Sequence, residues 1–502
     1  MENNQQYILS PREAYIAEQQ WRVVKRSVDA RQRELRVHLA ILTDEKGKPI
    51  RKDAPIPLYA PPVFEDVHKA KRQAIIIGAG PAGLFAALTL IEHGIKPIIY
   101  ERGKEVSERT KDIALLNRNG GLNPESNYCF GEGGAGTFSD GKLFSRSKKR
   151  GNMQRVMELF HYFGAPDTVL YEAHAHIGSD KLPGIIKRMR ETILEKGGEI
   201  HFETCITSLK EVTGYGLSVT GTPIILAIGH SAHDTYRMLA KEGVTLETKG
   251  FAMGVRAEHP QGLINKLMYH STNVEYVGNA SYSLVTQVDG RGVYSFCMCP
   301  GGHIVPAGSE AKSCVVNGMS ASHRNSPYAN SGMVVQINPE DIEGDDPLRG
   351  LAFQEKLERL AWEQAVTGYG LPITGNQAPA QRMKDFVEGK ASKDLPNCSY
   401  LPGIVPSRLD EWLPAHIGKR LQQGFRDFDK KYPGFLTNDA VIVGVESRSS
   451  SAVRIPRDPE TLESVSTPGL YPCGEGAGYA GGITSSALDG INAALKIAEL
   501  AW

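Results

Sequence analysis

The spacing of apolar positions changes twice between residues 74 and 101. Residues 74–77 form a short continuous apolar run, which is typical of a strand buried on both faces. Three glycines and a proline follow and interrupt the run, so it is too short to cross a membrane. A helical pattern starts at about residue 81 and stops at Gly94, and residues 96–100 again indicate a strand. The pattern predicts a strand, a tight turn, a helix and a second strand.

The turn in this unit has the sequence Gly-x-Gly-x-x-Gly. Gly78 allows the tight turn, Gly80 leaves room for a pyrophosphate, and Gly83 lets the helix pack closely on the strand. The free N–H groups at the start of the helix can bind phosphates. An acid about 20 residues further on can accept hydrogen bonds from a ribose, and Glu101 ends the second strand.

We therefore predict a dinucleotide site formed by Gly78, Gly80, Pro81, Ala82, Gly83, Glu101 and Arg102. A purely structural glycine turn is the alternative. These residues alone do not distinguish NAD from FAD.

Residues 1–54 precede this unit and are predicted to form a small α/β module. Ser10 to Glu13 is a capping box with proline at the first helical position, which predicts a helix from about Pro11 toward Ala30. Polar and apolar residues alternate at the start of residues 34–42, which indicates a strand. Residues 55–70 are proline-rich and are predicted to be a linker.

Charge and cysteine content limit the possible partners. The chain has 57 basic and 57 acidic residues, so no overall field attracts nucleic acid or a membrane. Residues 21–36 are locally basic, which indicates an RNA-facing surface or, more commonly, the solvated face of a helix. Seven cysteines without a disulfide spacing, and a start without an export signal, favour the cytoplasm. We expect a small-molecule substrate and no membrane partner.

Three later segments place glycines beside predicted strands. Residues 129–142 hold five glycines, which either follow a sharp backbone path or bring amides close to a ligand. Residues 222–229 form a buried strand that runs into glycine, and residues 467–475 form a strand that ends in Gly-Glu. The last of these leads into a helix from about residue 485.

The third segment decides between the two dinucleotides. Its acid can reach ribityl hydroxyls, and its helix N-terminus can lie beside a ring carbonyl that gains negative charge on reduction. NAD needs no such second site, so FAD is the predicted cofactor. The additional candidate residues are Gly134, Ala135, Gly136, Thr137, Ala227, Gly229, Gly474, Glu475, Gly481, Gly482 and Ile483.

Residues 251–394 contain short strand-like pieces, one predicted helix and long polar loops, which is typical of a mostly antiparallel α+β substrate domain. Cys297 and Cys299 lie on one of these strands, where residues two apart share a face and their Cα atoms are roughly 6.6 Å apart. Two reduced structural thiols are the plainer interpretation, and a redox-active pair is the second. Zinc held by these two cysteines with His303 and Cys314 is the third.

Four segments resemble the bacterial uncharacterised FAD-dependent dehydrogenases: residues 130–143 (Phe-Gly-Glu-Gly-Gly-Ala-Gly-Thr-Phe-Ser-Asp-Gly-Lys-Leu), 297–302, 446–455 and 474–490. The resemblance covers roughly residues 70–502. It implies an α/β fold in which a Rossmann-like, glutathione-reductase-like FAD-binding domain, at residues 71–250 and 395–502, is interrupted by the substrate domain. It also places the ADP half at Gly78, Gly80, Gly83 and Glu101, and the ribityl chain and ring at Gly474, Glu475, Gly482 and Ile483.

The sequence thus predicts an FAD-dependent oxidoreductase that moves a hydride between flavin N5 and an unidentified small molecule. Only one Gly-x-Gly-x-x-Gly motif is recognised, so NADH or NADPH, if it is the electron donor, uses the substrate cleft. Cys297 and Cys299 are the candidate catalytic residues, as a thiol relay to the flavin, and His230, His233 and His303 are candidate acids or bases. The alternatives are an RNA-associated flavoprotein and a redox sensor that acts through a partner.

Overall fold

The structure of the protein is a computed structural model. It describes residues 3–55, 57–118, 121–144, 151–210, 222–367 and 376–500. No helix among these residues is both long enough and apolar enough to cross a membrane.

The strands are β1 (Asn4–Leu9), β2 (Val23–Asp29), β3 (Arg36–Leu42), β4 (Gln73–Ile77), β5 (Lys96–Tyr100), β6 (Glu199–His201), β7 (Ile224–Leu226), β8 (Glu247–Thr248), β9 (Phe251–Pro260), β10 (Val285–Val288), β11 (Arg291–Cys299), β12 (His303–Pro306), β13 (Val316–Met319), β14 (Tyr328–Ile337), β15 (Ala378–Arg382), β16 (Ile404–Pro406), β17 (Val441–Glu446), β18 (Val453–Arg454) and β19 (Leu470–Pro472). The α-helices are α1 (Pro11–Gln20), α2 (Pro81–Glu92), α3 (Val106–Asn117), α4 (Met153–Tyr162), α5 (Thr168–Tyr171), α6 (Leu182–Glu195), α7 (His233–Lys241), α8 (Gln261–Tyr269), α9 (Arg349–Thr367), α10 (Met383–Glu388), α11 (Leu409–Trp412), α12 (Ala415–Lys431) and α13 (Ile483–Ala498).

A five-stranded parallel sheet in the order β19-β7-β4-β5-β6 forms the first layer of the molecule. Its central strand β4 is almost wholly apolar and buried, as the continuous run at residues 74–77 predicts. Helix α2 follows β4 and packs on this sheet together with α13 from the end of the chain. The predicted strand, turn, helix and strand at residues 74–101 are confirmed.

A seven-stranded sheet in the order β10-β11-β14-β9-β17-β15-β16 forms the second layer. All neighbouring strands are antiparallel except β15 and β16. Its apolar face packs on α12 and other helices around Phe386, Phe425 and Phe428. Strands β16 and β17 belong to this sheet, although they lie beyond residue 394, where we predicted the substrate domain to end. The chain is therefore a mixed α/β protein with one parallel and one larger, mostly antiparallel sheet.

The N-terminal module is a three-stranded antiparallel sheet in the order β1-β3-β2, with α1 beside it. The predicted capping box at Ser10 and Glu13 is present. The predicted helix toward Ala30 is wrong, because α1 ends at Gln20 and the chain then forms β2. Strand β3 lies between β1 and β2 and hydrogen-bonds on both sides, so pairing with this apolar strand overrides the helical preference of the local sequence.

This correction also changes the interpretation of the basic segment at residues 21–36. The segment is a strand and a turn, not a basic helix face. Four of its six cationic side chains have partners in the protein: Arg22 with the carbonyl of Ala54, Arg26 with Glu18 and Glu172, Arg31 with Asp29, and Arg36 with Glu34.

Candidate functional site

A cavity of about 350 Å³ lies at the carboxyl edge of the parallel sheet. Four of its wall residues directly follow four parallel strands, namely Gly78 after β4, Glu101 after β5, Ala227 after β7 and Cys473 after β19. Open parallel sheets bind their ligands outside this edge. A larger opening of about 840 Å³ lies between the N-terminal sheet and residues 267–270 and 281–283, and none of the predicted site residues lines it.

Most of the predicted site residues line the 350 Å³ cavity together. They are Gly78, Gly80, Pro81, Ala82, Glu101, Arg102, Gly134, Ala135, Gly136, Ala227, Gly229, Cys297, Gly474, Glu475, Gly481, Gly482 and Ile483. The other three lie behind the wall. A Cβ at Gly83 would stand 1.9 Å from the carbonyl oxygen of Gly78, the Thr137 hydroxyl donates to the carbonyl of Glu132, and Cys299 is fully buried.

The glycine turn has the geometry that the motif predicts. Gly78 has φ +105°, and a Cβ there would stand 2.4 Å from the carbonyl oxygen of Ala227 on the neighbouring strand. Gly80 is the N-cap of α2, and this helix has no capping side chain within the described structure. The first N–H groups of α2 therefore face the cavity wall without a capping side chain, which is the arrangement that binds phosphates.

Glu101 makes contacts that the sequence did not predict. Its buried carboxylate accepts hydrogen bonds from the backbone N–H groups of Ala79 (2.8 Å), Gly103 (2.9 Å) and Gly131 (3.0 Å). A carboxylate offers about four acceptor sites, so one remains for a ribose hydroxyl. Glu101 thus fixes three loops of the cavity in addition to the role that its position predicts.

Arg102 lines the cavity, and two acids hold its guanidinium. It pairs with Glu125 and Asp234, and its guanidinium lies 4.2 Å from the ring centroid of Phe130. Burial alone lowers the pKa of this guanidinium, but the hydrogen bonds to Asp234 and Glu125 raise it overall. Arg102 therefore ties α7 to the cavity rim.

Arg109 on α3 organises the glycine-rich loop, and sequence reasoning missed it. Its guanidinium is fully buried and donates to five backbone carbonyls, those of Asn127, Tyr128, Gly131, Glu132 and Gly134. Burial lowers its pKa to about 10, so it stays charged at neutral pH. No local pattern could reveal this residue, because its partners are backbone groups 18 to 25 positions further along the chain.

The other end of the cavity is the N-terminus of α13. Gly482, with φ +123°, is its N-cap, and no side chain among the described residues caps the helix. No atom of the described part of the chain lies within 4 Å of a Cβ built at Gly229, Gly481 or Gly482, so open space adjoins these three wall positions. The wall therefore fits a large ligand that approaches the backbone closely and carries negative charge beside the helix N-terminus.

The cavity is also lined by Phe296 and Cys297 of β11 in the second sheet, by Asn317 of β13, and by Arg448 and Ser449, which follow β17. Strand β11 is irregular here, because its pairing with β14 shifts between Phe296 and Cys299. Cys297 has φ +45° in this bulge. The argument that Cys297 and Cys299 share one face of a regular strand is therefore wrong, since a β-bulge breaks the alternation.

Two buried ion pairs and one buried acid with two cations lie next to this wall. Arg256 pairs with Glu446 and also contacts Asn317, Arg448 pairs with Glu358, and Asp140 pairs with Arg324 and Lys142. Burial raises the pKa of Glu446 to about 7 although Arg256 opposes this shift. Each of these acids thus has at least one cationic partner, and Lys142 and Arg448 line the cavity.

Of the three candidate histidines only His230 lines the cavity, with its Nδ1 atom 3.4 Å from Glu475. His233 is buried and bonded to Glu355 (3.0 Å) and Glu310 (3.2 Å), and His303 lies on β12 with its side chain exposed. Burial lowers the pKa of His233, but the bonds to the two acids raise it overall.

The zinc alternative does not match the geometry. Within the described part of the chain, only His233, Glu310 and Glu355 bring three potential ligand atoms within 4.8 Å of one another. Cys297, Cys299, His303 and Cys314 do not meet as a set, and all three cysteines are free thiols.

Two protein families match this chain. The family described as FAD binding domain matches residues 71–211, and the family described as FAD-dependent protein, C-terminal domain-like matches residues 250–449. A protein of Clostridium beijerinckii, described as an uncharacterized protein, is 42% identical over 496 residues, which cover 95% of this chain and 92% of the relative.

Solved structures share much lower similarity. CtdE in complex with FAD and its substrate is 11% identical, covers 85% of this chain and 80% of its own, and has a TM-score of 0.31. NikD, described as an unusual amino acid oxidase essential for nikkomycin biosynthesis, is 10% identical, covers 86% of this chain and 94% of its own, and has a TM-score of 0.36.

Proposed function

The chain belongs to a family of FAD-binding flavoproteins that joins an FAD binding domain to the C-terminal domain of FAD-dependent proteins, and we propose that it is an oxidoreductase that transfers a hydride between flavin N5 and a small molecule. One observation carries the proposal. A single cavity joins the carboxyl edge of the parallel sheet to a wall from the antiparallel sheet. A cofactor held at the edge of the parallel sheet can therefore meet a substrate held at the wall of the antiparallel sheet.

The cavity also supports an orientation for FAD. Gly78, Gly80 and Glu101 would hold the ADP half, since the glycine turn and the uncapped start of α2 lie there. Gly482 and Ile483 would lie at the ring, beside the N-terminus of α13. We propose that the FAD domain is interrupted by the second sheet and resumes after β17, because β19 and α13 return to the parallel sheet.

FAD supplies the hydride-accepting and hydride-donating ring, and the residues around it control charge and access. The helix dipole of α13 stabilises negative charge at its N-terminus. Phe296 and Asn317 line the same cavity and would contact a substrate bound there. We propose no catalytic base, because His230 pairs with Glu475 and the other two candidate histidines lie away from the cavity.

The proposed electron donor is NADH or NADPH, which would enter the cavity from the side of Asn317. The test is anaerobic mixing of the flavoprotein with each nucleotide while the visible flavin absorbance is recorded. We expect bleaching with one of them, and slower bleaching when the transferred hydrogen is deuterium. No bleaching with either nucleotide, in protein that dithionite still bleaches, contradicts this donor. Bleaching without an isotope effect contradicts a rate-limiting hydride transfer.

A pair of variants tests where the donor binds. Asn317→Trp fills the cavity beside the second sheet and is expected to slow bleaching by the nucleotide without preventing reduction by dithionite. Val285→Trp adds the same bulk on β10, where the native side chain is 65% exposed, and is expected to have no effect. Equal rates for both variants would place the donor elsewhere.

The seven free cysteines support a reducing compartment such as the cytoplasm as the site of this activity.

A further inference from the structure

Cys297 and Cys299 occupy the bulge where the second sheet meets the cavity. Pairing of β11 with β14 runs to Phe296 and resumes at Cys299, so the two residues between them lie outside the regular ladder. Cys297 lines the cavity, and Cys299 is fully buried behind it. A left-handed backbone at a residue other than glycine is strained, and such strain is concentrated at functional sites. The φ of +45° at Cys297 is such a case.

Two cations approach this pair from different parts of the chain. The Nη2 atom of Arg256 lies 2.7 Å from the carbonyl oxygen of Cys297 and 3.5 Å from the Sγ atom of Cys299. The Nζ atom of Lys142 lies 3.8 Å from the same Sγ atom and donates to the carbonyl of Met298. Positive charge close to a thiol favours the thiolate. The two cations therefore stabilise one negative charge on the cysteine pair.

The thiol of Cys299 also donates to the carbonyl oxygen of Cys297 (3.3 Å). The interaction between the two thiols, with the charges of Lys142 and Arg256, lowers the pKa of Cys297, and it raises that of Cys299 because a second negative charge is opposed. Cys314 and Cys473 behave differently, since burial, together with the charge of Glu358 for Cys314 and of Asp489 for Cys473, raises their pKa values, that of Cys314 to about 12. A thiolate beside a thiol is the reactive state in thiol and disulfide chemistry.

We propose that Cys297 and Cys299 form a redox dithiol that exchanges two electrons with FAD. In the step, the Cys297 thiolate and the Cys299 thiol form one S–S bond, and the S–H bond of Cys299 breaks. The pair loses two electrons and one proton, and oxidised FAD takes up both electrons and the proton. The reverse step returns them. The proposal deepens the proposed function and rests on it for the position of the flavin ring at this end of the cavity.

The test counts electrons. Purified flavoprotein is treated with diamide, the diamide is removed, and the protein is titrated anaerobically with dithionite. We expect about four electrons per flavin in the unchanged protein, two for the ring and two for the disulfide. Cys297→Ser and Cys299→Ser are each expected to take up about two. Cys314→Ser is the matched control, a buried cysteine outside the cavity, and is expected to take up about four.

A second readout follows the thiols directly. Samples are quenched in acid during the titration and labelled with N-ethylmaleimide, and labels at residues 297 and 299 are counted by peptide mass spectrometry. Both positions are expected to be unlabelled after diamide and labelled at the end. Uptake of about two electrons by the unchanged protein, or labelling of both cysteines throughout, overturns the proposal. Dithionite reduces flavin without any substrate, so failure of NADH or NADPH to bleach the protein does not affect this result.

Discussion

The surroundings of Glu132 in the glycine-rich loop strongly shift the pKa of its carboxyl group. The side chain has no exposed surface, accepts a hydrogen bond from the N–H of Val106, and lies 3.3 Å from Arg190. Its Oε1 atom has no partner among the described residues. Burial raises the pKa of this carboxyl from 4.5 to about 7, although the bond to Val106 and the charge of Arg190 oppose the shift. The loop beside the cavity therefore holds an acid that is partly protonated at neutral pH.

This shift predicts a pH-dependent stability. Because the folded pKa lies above the unfolded value, the folded protein binds more protons between about pH 4.5 and 7, and stability falls as pH rises through this window. Glu132→Gln cannot ionise, so its stability relative to the unchanged protein is expected to increase by about 3 kcal/mol from pH 5 to pH 8. Urea denaturation of the flavin-loaded proteins measures this difference.

Glu108→Gln on α3 is the control for this prediction. The Glu108 side chain is half exposed and pairs only with Lys111 within the described structure, so the variant is expected to differ from the unchanged protein by the same small amount at every pH. A Glu132→Gln difference that does not change between pH 5 and pH 8 would show that Glu132 ionises freely in the folded protein.

Single residues differ in how far the sequence reveals them. Gly78, Gly83 and Glu101 were predictable because their contacts lie within one strand, turn and helix unit. Arg109 and Lys142 were not predictable from the sequence. The partners of Arg109 are backbone carbonyls further along the chain, and the partner of Lys142 is a backbone carbonyl in the second sheet. The bulge at Cys297 also depends on pairing with another strand, so only the residue types of the pair could be read from the sequence.

Helices α2 and α13 pack closely and hold both ends of the candidate FAD site. Gly490 makes this contact possible, because a Cβ there would stand 2.0 Å from the carbonyl oxygen of Ala82. Gly490→Ala is expected to destabilise the protein by about 1–3 kcal/mol, since a buried backbone cannot move away freely. It also displaces Ala82 in the cavity wall, so FAD is expected to dissociate more readily. Thermal unfolding and the flavin content after gel filtration measure the two effects.

Gly262→Ala on α8 is the matched control. Nothing lies within 4 Å of a Cβ built at Gly262, and alanine favours helix more than glycine does. This variant is expected to be stabilised by up to about 1 kcal/mol with unchanged flavin content. Stabilisation by Gly490→Ala as well would mean that the two helices can separate without cost.

Elements were predictable where their pattern is local. The unit at residues 74–101 has a clear change of period and was predicted to within two residues. Strand β2 was predicted as helix, because its partner β3 lies further along the chain and propensity alone does not show pairing. For the same reason, the membership of β16 and β17 in the second sheet depends on neighbours that sequence does not reveal.

At the scale of the whole molecule, Arg26 joins the N-terminal module to two other parts of the chain. Its guanidinium pairs with Glu18 of the module and with Glu172, and donates to the carbonyl of Tyr276. Its own carbonyl accepts from the N–H of Ala173. Arg26 belongs to the basic segment for which an RNA-facing surface is one interpretation. Its contacts instead link the N-terminal module to other parts of the chain.

Arg26→Met is expected to loosen the module without changing the flavin site. Arg26 is partly buried, and removing a guanidinium that bonds to two carboxylates costs about 2 kcal/mol, which here acts on the attachment of β1, β2 and β3. Amide hydrogens of these strands are expected to exchange roughly thirtyfold faster, while those of β4 and β5 and the flavin absorbance stay unchanged. Lys25→Met removes the same charge from an exposed neighbouring position. It is expected to change neither the amide exchange of the module nor the flavin absorbance. Faster exchange in the parallel sheet of Arg26→Met would instead show that the module and the FAD site unfold as one unit.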